Sequence, residues 1–332
     1  MGIGIMFKDR IKDLMHGLGI TGALVRIAGV SKYPRLAILV YHRACESIED
    51  SAYLGIPRDV FEQHMKFISD NFKVVSMEEG IRNIYAGNGK GMQVAVNFDD
   101  GYMDNYIYAY PVLKKYHIPA TVYLTTDYIG KPAIFWWDRV FNAVSLGRMS
   151  GIESAAVTDS INKELRLKTD SEIEAALGNI EKSYGAIKKM DPVSMLGWNE
   201  IKEMKKSGIN FGSHAKTHRD LCILSDKEVI EELAGSKKDI EKNLGIEAGE
   251  FSYPFGIFDN RIKRLAKEAG FKYARAGFRG INNKKADRFS LAAIPAGSLA
   301  KTSFLAARIG ISSLKTTLHL RHCYKCKVVR VS

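Results

Sequence analysis

Two adjacent carboxylates, Asp99 and Asp100, end the apolar run VAVNFDD and are followed at once by Gly101. Like charges at the rim of a core repel, and each is costly to desolvate unless a cation or a basic side chain lies beside it. Successive side chains on a strand point to opposite faces, so both carboxylates can face one site only if the chain turns there. A glycine permits that turn. The pair therefore predicts a polar site at a strand end.

A second motif, FGSHAKTHRDL, supplies His214 and His218, four residues apart. Two imidazoles at this spacing share one face of a helix, and a loop can also bring them to one ion. One of the two aspartates could join them as a third metal ligand, while the other takes a proton from water. The local sequence does not decide which aspartate has which role.

Three protein ligands with an open position are typical of catalytic zinc sites. Two histidines and one carboxylate also describe non-haem iron oxygenases. The second carboxylate favours hydrolysis, because a hydrolase needs a general base and an oxygenase needs a cosubstrate site instead. No signal for such a cosubstrate site is present in the sequence.

Several apolar runs rich in β-formers, separated by helical stretches, must position these residues. The runs that we predict as strands are 36–42, 94–100, 120–126, 209–214, 251–256 and 272–277. Near-continuous apolar strands alternating with helices predict a parallel sheet covered by helices. One of those helices should begin with a capping box formed by Ser225 and Glu228.

The polar residues fall at the carboxyl ends of the predicted strands, where His42 joins Asp99, Asp100 and His214. In parallel α/β barrels this edge carries the functional sites. Between residues 140 and 196 no apolar strand pattern recurs, and the sequence predicts a polar helical insertion on the barrel.

Three motifs in this order, NFDDGY (97–102), SHAKTH (213–218) and SYPFG (252–256), resemble those of polysaccharide deacetylases with a NodB-homology domain, carbohydrate esterase family 4. The resemblance covers roughly residues 36–300. It implies a distorted parallel (β/α)7 barrel that holds one divalent metal, commonly zinc, with cobalt, manganese and nickel as alternatives. It also implies an activity that removes the acetyl group from an N-acetylated sugar.

Matched motif by motif, the resemblance implies roles for five residues. Asp99 would be the general base, and the metal ligands would be Asp100, His214 and His218. The backbone amide of Phe255 would hold the developing oxyanion, a contribution of about 3 kcal/mol in comparable sites.

Two family features are missing from their expected places. Many members carry an arginine in the third motif that orients the base, but Phe251 and Ser252 precede YPFG here. They also carry a late histidine that protonates the leaving amine, whereas this chain has LAAIPAGSL (291–299). We predict His42 as the substitute acid and consider Arg139 for the orienting role.

An aromatic cluster, FWW at 135–137, lies beside Asp138 and Arg139 in the sequence. Two consecutive tryptophans cannot both face inward on most elements, so one of them could offer a platform for a sugar ring. The predicted substrate contacts are Trp136, Trp137, Arg139 and Tyr253.

The residues and the resemblance together predict a metal-dependent hydrolase that acts on an N-acetylated glycan or on a lipid-linked glycan precursor. Two alternatives stay open. One is a metal-containing carbohydrate-binding protein with weak or no catalysis, and the other is a deacylase of a formyl group or a cyclic amide.

Composition sets the cellular context that we expect. The chain has 332 residues and a net charge of +12, and no uninterrupted apolar stretch long enough to span a bilayer. Residues 1–35 predict an amphipathic, basic helical segment without a signal-peptide pattern, and residues 301–332 a basic tail. We therefore expect a cytoplasmic protein, or one bound peripherally at the inner face of the membrane.

Other partners are less favoured by the sequence. No zinc-finger, RRM or KH signature accompanies the positive charge, which argues against nucleic acid. The four cysteines are too few to staple a chain of this length, and CYKC at 323–326 has the spacing of only half a zinc site. The oligomeric state is not indicated.

Overall fold

The fold was analysed in a computed structural model that describes residues 31–46, 54–146, 151–184, 193–297 and 301–317. The N-terminal amphipathic helix that the sequence predicts lies outside the described residues, as does the CYKC motif.

Twelve strands are present in the described part of the chain. They are β1 (Arg35–Tyr41), β2 (Arg43–Cys45), β3 (Gly55–Pro57), β4 (Lys73–Val74), β5 (Met92–Phe98), β6 (Ala120–Leu124), β7 (Pro132–Ala133), β8 (Val193–Ser194), β9 (Asn210–Ser213), β10 (Glu250–Ser252), β11 (Tyr273–Arg279) and β12 (Leu291–Pro295).

Seven of these strands close into a parallel barrel in the order β1-β12-β11-β10-β9-β6-β5, and β5 pairs back with β1. The short β4 extends the sheet beside β5, while β2–β3 and β7–β8 form separate pairs. The predicted (β/α)7 barrel is confirmed. The prediction did not include β12, because LAAIP is a short apolar run without alternation that ends at a proline.

The helices surround the barrel. They are α1 (Arg58–Asn71), α2 (Met77–Ala86), α3 (Tyr110–Lys115), α4 (Trp136–Leu146), α5 (Gly151–Leu165), α6 (Asp170–Ser183), α7 (Trp198–Lys206), α8 (Asp226–Ile230), α9 (Ser236–Leu244), α10 (Asn260–Glu268) and α11 (Thr302–Thr317). A π-helical turn, Asn105–Ala109, leads into α3, and another, Glu231–Gly235, joins α8 to α9.

The capping box predicted for α8 is present. The Ser225 hydroxyl accepts from the backbone N–H of Glu228, and the Glu228 carboxylate accepts from the N–H of Ser225. Two backbone donors at the start of the helix are thereby satisfied.

Side-chain alternation along β5 separates two layers. Val94, Val96 and Phe98 join the apolar cluster shared with the outer helices. Residues of the opposite parity, which include Asn97, face the barrel interior. The same parity directs Asp99, the next residue after the strand, toward the barrel mouth.

Within the predicted insertion (140–196), the described residues form most of α4, all of α5 and α6, and β8. The three helices share a small apolar core that includes Val144, Leu165 and Leu177. Helix α11, at the start of the predicted tail, buries Leu305 and Ile309 in the outer barrel cluster. None of the described helices has the length and apolar character needed to cross a membrane.

Candidate active site

The Asp99–Asp100 pair lies in a turn at the carboxyl end of β5. The backbone of Asp100 has a positive φ of 74°, and that of Gly101 a φ of 84°. The turn reverses the usual alternation, so both carboxylates enter the same buried site, with exposed fractions of 4% and 3%. This is the turn that the sequence predicted.

Asp100, His214 and His218 converge on one point. The Oδ1 of Asp100 is 3.5 Å from Nε2 of His214 and 3.3 Å from Nε2 of His218. One potential ligand atom from each of the three residues lies within 4.8 Å of the other two. All three side chains are buried, which distinguishes the cluster from a chance group of surface acids.

Two polar atoms of this cluster, Asp100 Oδ1 and His218 Nδ1, have no hydrogen-bond partner among the described residues. Buried polar atoms are nearly always satisfied, so an unpartnered carboxylate oxygen between two imidazole nitrogens calls for a cation. Two imidazoles and one carboxylate are a donor set that zinc and related divalent ions accept. The three residues therefore fit a divalent metal.

The orientation of His214 is set by Ser252 at the end of β10. Its Nδ1 lies 2.7 Å from the Ser252 carbonyl oxygen, so this nitrogen donates its proton to the backbone. The Nε2 lone pair is then directed at Asp100 and His218. A hydrogen bond of this kind fixes the tautomer of a metal-binding histidine.

The segment between the two histidines is a loop, not a helix, and Glu232 holds its shape. The Glu232 carboxylate accepts the backbone N–H groups of Lys216 and Thr217 at 2.8 Å and 2.9 Å. It also accepts from the Thr217 hydroxyl. His218 itself has a φ of 62°, a strained value that only a well-determined loop maintains.

Asp99 has an ion-pair partner outside the cluster, although its Oδ2 also lies 4.0 Å from Nε2 of His214. It forms a buried ion pair with Arg275 on β11, whose guanidinium also donates to the Ser252 hydroxyl. The Nε2 of His42, directly after β1, is 3.8 Å from Asp99 Oδ2. The site therefore brings His42 to the same edge as the carboxylates.

Neighbouring charges and burial shift the pKa of Asp99 in opposite directions. Burial alone would raise its pKa, but the Arg275 charge, helped by the two nearby histidines, outweighs burial and lowers the pKa to about 2. Asp99 is therefore ionised at neutral pH and able to accept a proton.

The pKa values of the other titratable groups in the site are shifted mainly by burial. Burial raises the pKa of Asp100 well above its usual range, and the charges of Asp99 and Asp138 add to this effect. Burial lowers the pKa of His214 and His218, and that of His42 to about 4. The imidazoles are thus neutral with free lone pairs, and a cation beside Asp100 would reverse the effect of burial on that carboxyl.

Aromatic rings wall one side of the cluster. The ring of His218 is 4.5 Å from that of Trp137 and 4.6 Å from that of Phe255. Phe255 lies in the turn Pro254–Gly256 with a φ of 56°. Gly256 also has a positive φ, and a Cβ there would lie 2.2 Å from Gly277 Cα, so this turn packs directly on β11.

Two predicted substrate contacts, Tyr253 and Arg139, are engaged elsewhere. Tyr253 is fully buried, and its hydroxyl donates to the Phe289 carbonyl. Trp137 is largely buried and donates its indole N–H to the Tyr102 hydroxyl, but it lines the cavity beside His218 together with Trp136. Arg139 pairs with two glutamates of the insertion, Glu174 and Glu181, and Arg275 is the arginine that contacts Asp99. Only Trp136 of these four is partly exposed without an ion pair.

Arg275 and Glu232 were missed by sequence reasoning. A signal for Arg275 existed, because an arginine within the apolar strand segment YARAG must find a buried anion. No comparable signal marks Glu232, which lies among the exposed acids of a polar helix.

A closed parallel barrel with a buried Asp-His-His cluster and a second, ionised aspartate at its carboxyl edge defines a barrel protein with a candidate hydrolytic metal centre. Comparison with known sequences narrows this class. The profile described as "Polysaccharide deacetylase" matches residues 86–274, more than half of the chain. The chain belongs to the polysaccharide deacetylase family.

Individual relatives agree with this assignment. A Bacillus subtilis (strain 168) protein named as a polysaccharide deacetylase, YxkH, is 26% identical over 243 residues, which cover 73% of this chain and 64% of that protein. The poly-beta-1,6-N-acetyl-D-glucosamine N-deacetylase of Staphylococcus aureus (strain N315) is 25% identical over 231 residues, covering 66% of this chain and 60% of the relative. The chain thus spans about three-fifths of the length of these relatives.

Solved structures share the fold. The Streptococcus pyogenes deacetylase PplD has a TM-score of 0.59 at 22% identity, covering 83% of this chain and 98% of that one. IcaB from Ammonifex degensii has a TM-score of 0.59 at 20% identity, covering 85% and 99%.

Proposed function

We propose that this protein hydrolyses the N-acetyl group of an N-acetylated hexosamine within a glycan. The observation that carries the proposal is the buried, ionised Asp99 beside a cluster that fits a divalent metal. Family membership supports the amide-hydrolase chemistry, and the names of the Staphylococcus relatives support an N-acetylglucosamine polymer as the first substrate to test.

In this mechanism, Asp100, His214 and His218 would hold the metal. A divalent ion there would polarise the acetyl carbonyl and make water more acidic. Asp99 accepts the proton of the attacking water, and Arg275 keeps that carboxylate ionised and oriented toward the site. The backbone N–H of Phe255 donates to the oxyanion that forms on the acetyl carbonyl.

His42 completes the proposal by delivering a proton to the leaving amine. It lies at the same rim as Asp99, with 3.8 Å between His42 Nε2 and Asp99 Oδ2. Because burial keeps the resting imidazole neutral, the proton that it delivers is the one taken from water by Asp99. This histidine would replace the late histidine that the family pattern predicts and this chain lacks.

The direct test is acetate release from β-1,6-linked N-acetylglucosamine oligosaccharides by the purified protein. We expect release to stop after treatment with a chelator and to return when zinc or cobalt is added. Release of formate from N-formyl sugars without any release of acetate would contradict the substrate proposal and leave a hydrolase of a different acyl group. Acetate release that is insensitive to the chelator would contradict the proposed metal dependence.

Replacing His42 with asparagine should separate amide from ester hydrolysis. An amine must be protonated to leave, whereas 4-nitrophenolate leaves as an anion. We expect kcat for acetyl amides to fall by about 10²- to 10⁴-fold and the rate on 4-nitrophenyl acetate to change little. The exposed His117 offers a matched control, His117→Asn, which should leave both rates unchanged. Equal losses on amide and ester would show that His42 is not the acid.

The basic residues beyond position 300 would favour an anionic or membrane-bound precursor, such as a lipid-linked glycan. A place at the inner face of the membrane stays a prediction from the sequence.

A further inference from the structure

The hydrogen bonds of Arg275 leave the plane of its guanidinium weakly fixed. The side chain is almost fully buried, and the Asp99 carboxylate and the Ser252 hydroxyl both accept from the same nitrogen, Nη2. Nε has no hydrogen-bond partner among the described residues. A guanidinium that orients a carboxylate firmly does so through two of its nitrogens at once. A further contact is therefore needed to hold the plane of this group.

The ring of Tyr123 on β6 makes such a contact. The ring centroid lies 5.6 Å from Cζ of Arg275, within the range of a cation–π interaction. Tyr123 is fully buried, and its neighbours Val122 and Leu124 belong to the apolar cluster shared with the outer helices. Alternation along the strand therefore directs the Tyr123 ring into the barrel interior, where the guanidinium lies. Cation–π contacts are strongest when both groups are shielded from water, as they are here.

The position of the Tyr123 ring is itself fixed by two neighbouring strands. Tyr123 pairs in register with Gly212 on β9, and a Cβ at position 212 would lie 2.7 Å from two carbon atoms of the ring. A larger residue there would displace the ring. The Tyr123 hydroxyl donates to the Glu250 carboxylate on β10 at 3.3 Å. The ring is thus held by contacts that do not involve Arg275, so it can act as a support for the guanidinium.

We propose that Tyr123 is a positioning residue for the reaction. Its ring holds the plane of the Arg275 guanidinium, and the guanidinium in turn directs the Asp99 carboxylate toward the attacking water. Tyr123 is fully buried and acts only through Arg275. This inference rests on the proposed role of Asp99 as the base of a deacetylase.

Replacing Tyr123 with leucine should lower kcat by about 10- to 100-fold on acetyl amides and on 4-nitrophenyl acetate alike, because a displacement of about 1 Å in a catalytic group has an effect of this size. KM should change by less than about twofold, since no substrate contact is removed. Tyr123→Phe retains the ring and should keep kcat within about threefold of the unmodified protein. Equal losses in the two variants would overturn the inference, because the hydroxyl would then be the part that matters.

A double-mutant cycle tests whether Tyr123 acts through Arg275. Arg275→Lys keeps the positive charge but has no planar group for a ring to orient. In the Arg275→Lys background, Tyr123→Leu should therefore lower kcat by less than about a further twofold, whereas the effects of independent residues multiply. Losses that multiply would overturn the inference.

Tyr110→Leu in α3 is the matched control for the loss of a buried tyrosine. Tyr110 packs in the outer apolar cluster, and its hydroxyl is 2.6 Å from that of Ser207. This variant should lower the melting temperature as Tyr123→Leu does, yet leave kcat unchanged at temperatures well below the transition. An equal loss of kcat in both leucine variants would overturn the inference, because it would indicate a general effect of destabilisation.

NMR of the protein labelled with 15N-arginine separates this inference from the proposed function. The signals of Arg275 are identified by their absence from the spectrum of Arg275→Lys. We expect separate Nη signals, as slow rotation about the Nε–Cζ bond requires, in the unmodified protein, in Tyr123→Phe and in Tyr110→Leu, and one averaged signal in Tyr123→Leu. If no substrate is hydrolysed, the deacetylase proposal fails and these spectra still test the contact. Unchanged Arg275 signals in Tyr123→Leu would overturn it.

Discussion

Replacing Asp99 with asparagine is expected to lower kcat for acetyl release by about 10²- to 10⁴-fold while leaving the bound metal in place. Asparagine has nearly the same shape but cannot accept a proton from water. The metal-compatible cluster consists of Asp100, His214 and His218, so it retains all its ligands. The loss should appear equally on amide and ester substrates, because both need an activated water. Acetate assays together with metal analysis of the same preparation measure the two effects.

Stability must be followed in parallel, because the change leaves the guanidinium of Arg275 without its buried counter-charge. Breaking a buried ion pair costs about 3–5 kcal/mol in folding free energy, less where a hydrogen bond survives. Assays should therefore be run well below the melting temperature of the variant. Asp70→Asn, at an exposed carboxylate that pairs with Lys66, is the control for the chemical change itself.

The outcome also shows which of the two aspartates is the base and which is the metal ligand, a question that the local sequence leaves open. Loss of metal in Asp99→Asn would make Asp99 the ligand and Asp100 the base. Unchanged activity would remove Asp99 from the reaction. A protein that binds metal and glycan but shows no turnover before or after the change would be the carbohydrate-binding protein of the alternative hypothesis.

The positions of the site residues could be predicted because they depend on strand ends. A fully buried run such as Met92–Phe98 that stops at two acids and a glycine fixes where the strand ends. Parallel strands then place His42, Asp99 and His214 at one edge without any knowledge of their exact pairing. The capping box at Ser225 is a similar local signal, because both of its partners lie within four residues.

Arg275 could not be placed in this way, because its contact with Asp99 depends on the register between strands. The family pattern expects an arginine in the third motif, where this chain has Phe251 and Ser252 ahead of YPFG. In the barrel, Ser252 on β10 pairs directly with Arg275 on β11. The guanidinium thus reaches Asp99 from the neighbouring strand at the same height. Nothing in the sequence specifies which residues of two adjacent strands face each other.

The misassigned contacts have a different cause. Arg139 lies close to the aromatic cluster in sequence, but its direction is set by the glutamates of α6, more than thirty residues later. Tyr253 was predicted as a substrate contact, yet its hydroxyl donates to a backbone carbonyl, that of Phe289. Both errors concern tertiary packing of segments that local patterns do not relate.

Replacing His214 with alanine is expected to weaken metal binding by more than about 100-fold and to abolish acetyl release. Removing a residue that only hydrogen-bonds to a metal-binding side chain already lowers metal affinity by about 10- to 100-fold. Removing the metal-binding side chain itself should lower the affinity by at least as much. The variant also loses the bond from Nδ1 to the Ser252 carbonyl, which leaves a buried acceptor unpaired.

Equilibrium dialysis with zinc, followed by metal analysis, measures the change directly and does not depend on activity. His117→Ala, at an exposed histidine, should retain the affinity of the unmodified protein. Circular dichroism distinguishes loss of the metal from loss of the fold. Full metal retention by a folded His214→Ala protein would show that the ion is bound elsewhere, and the unpartnered oxygen of Asp100 would then need another explanation. Loss of metal with an intact barrel would instead place the ion between β5 and β9, where the buried donors meet.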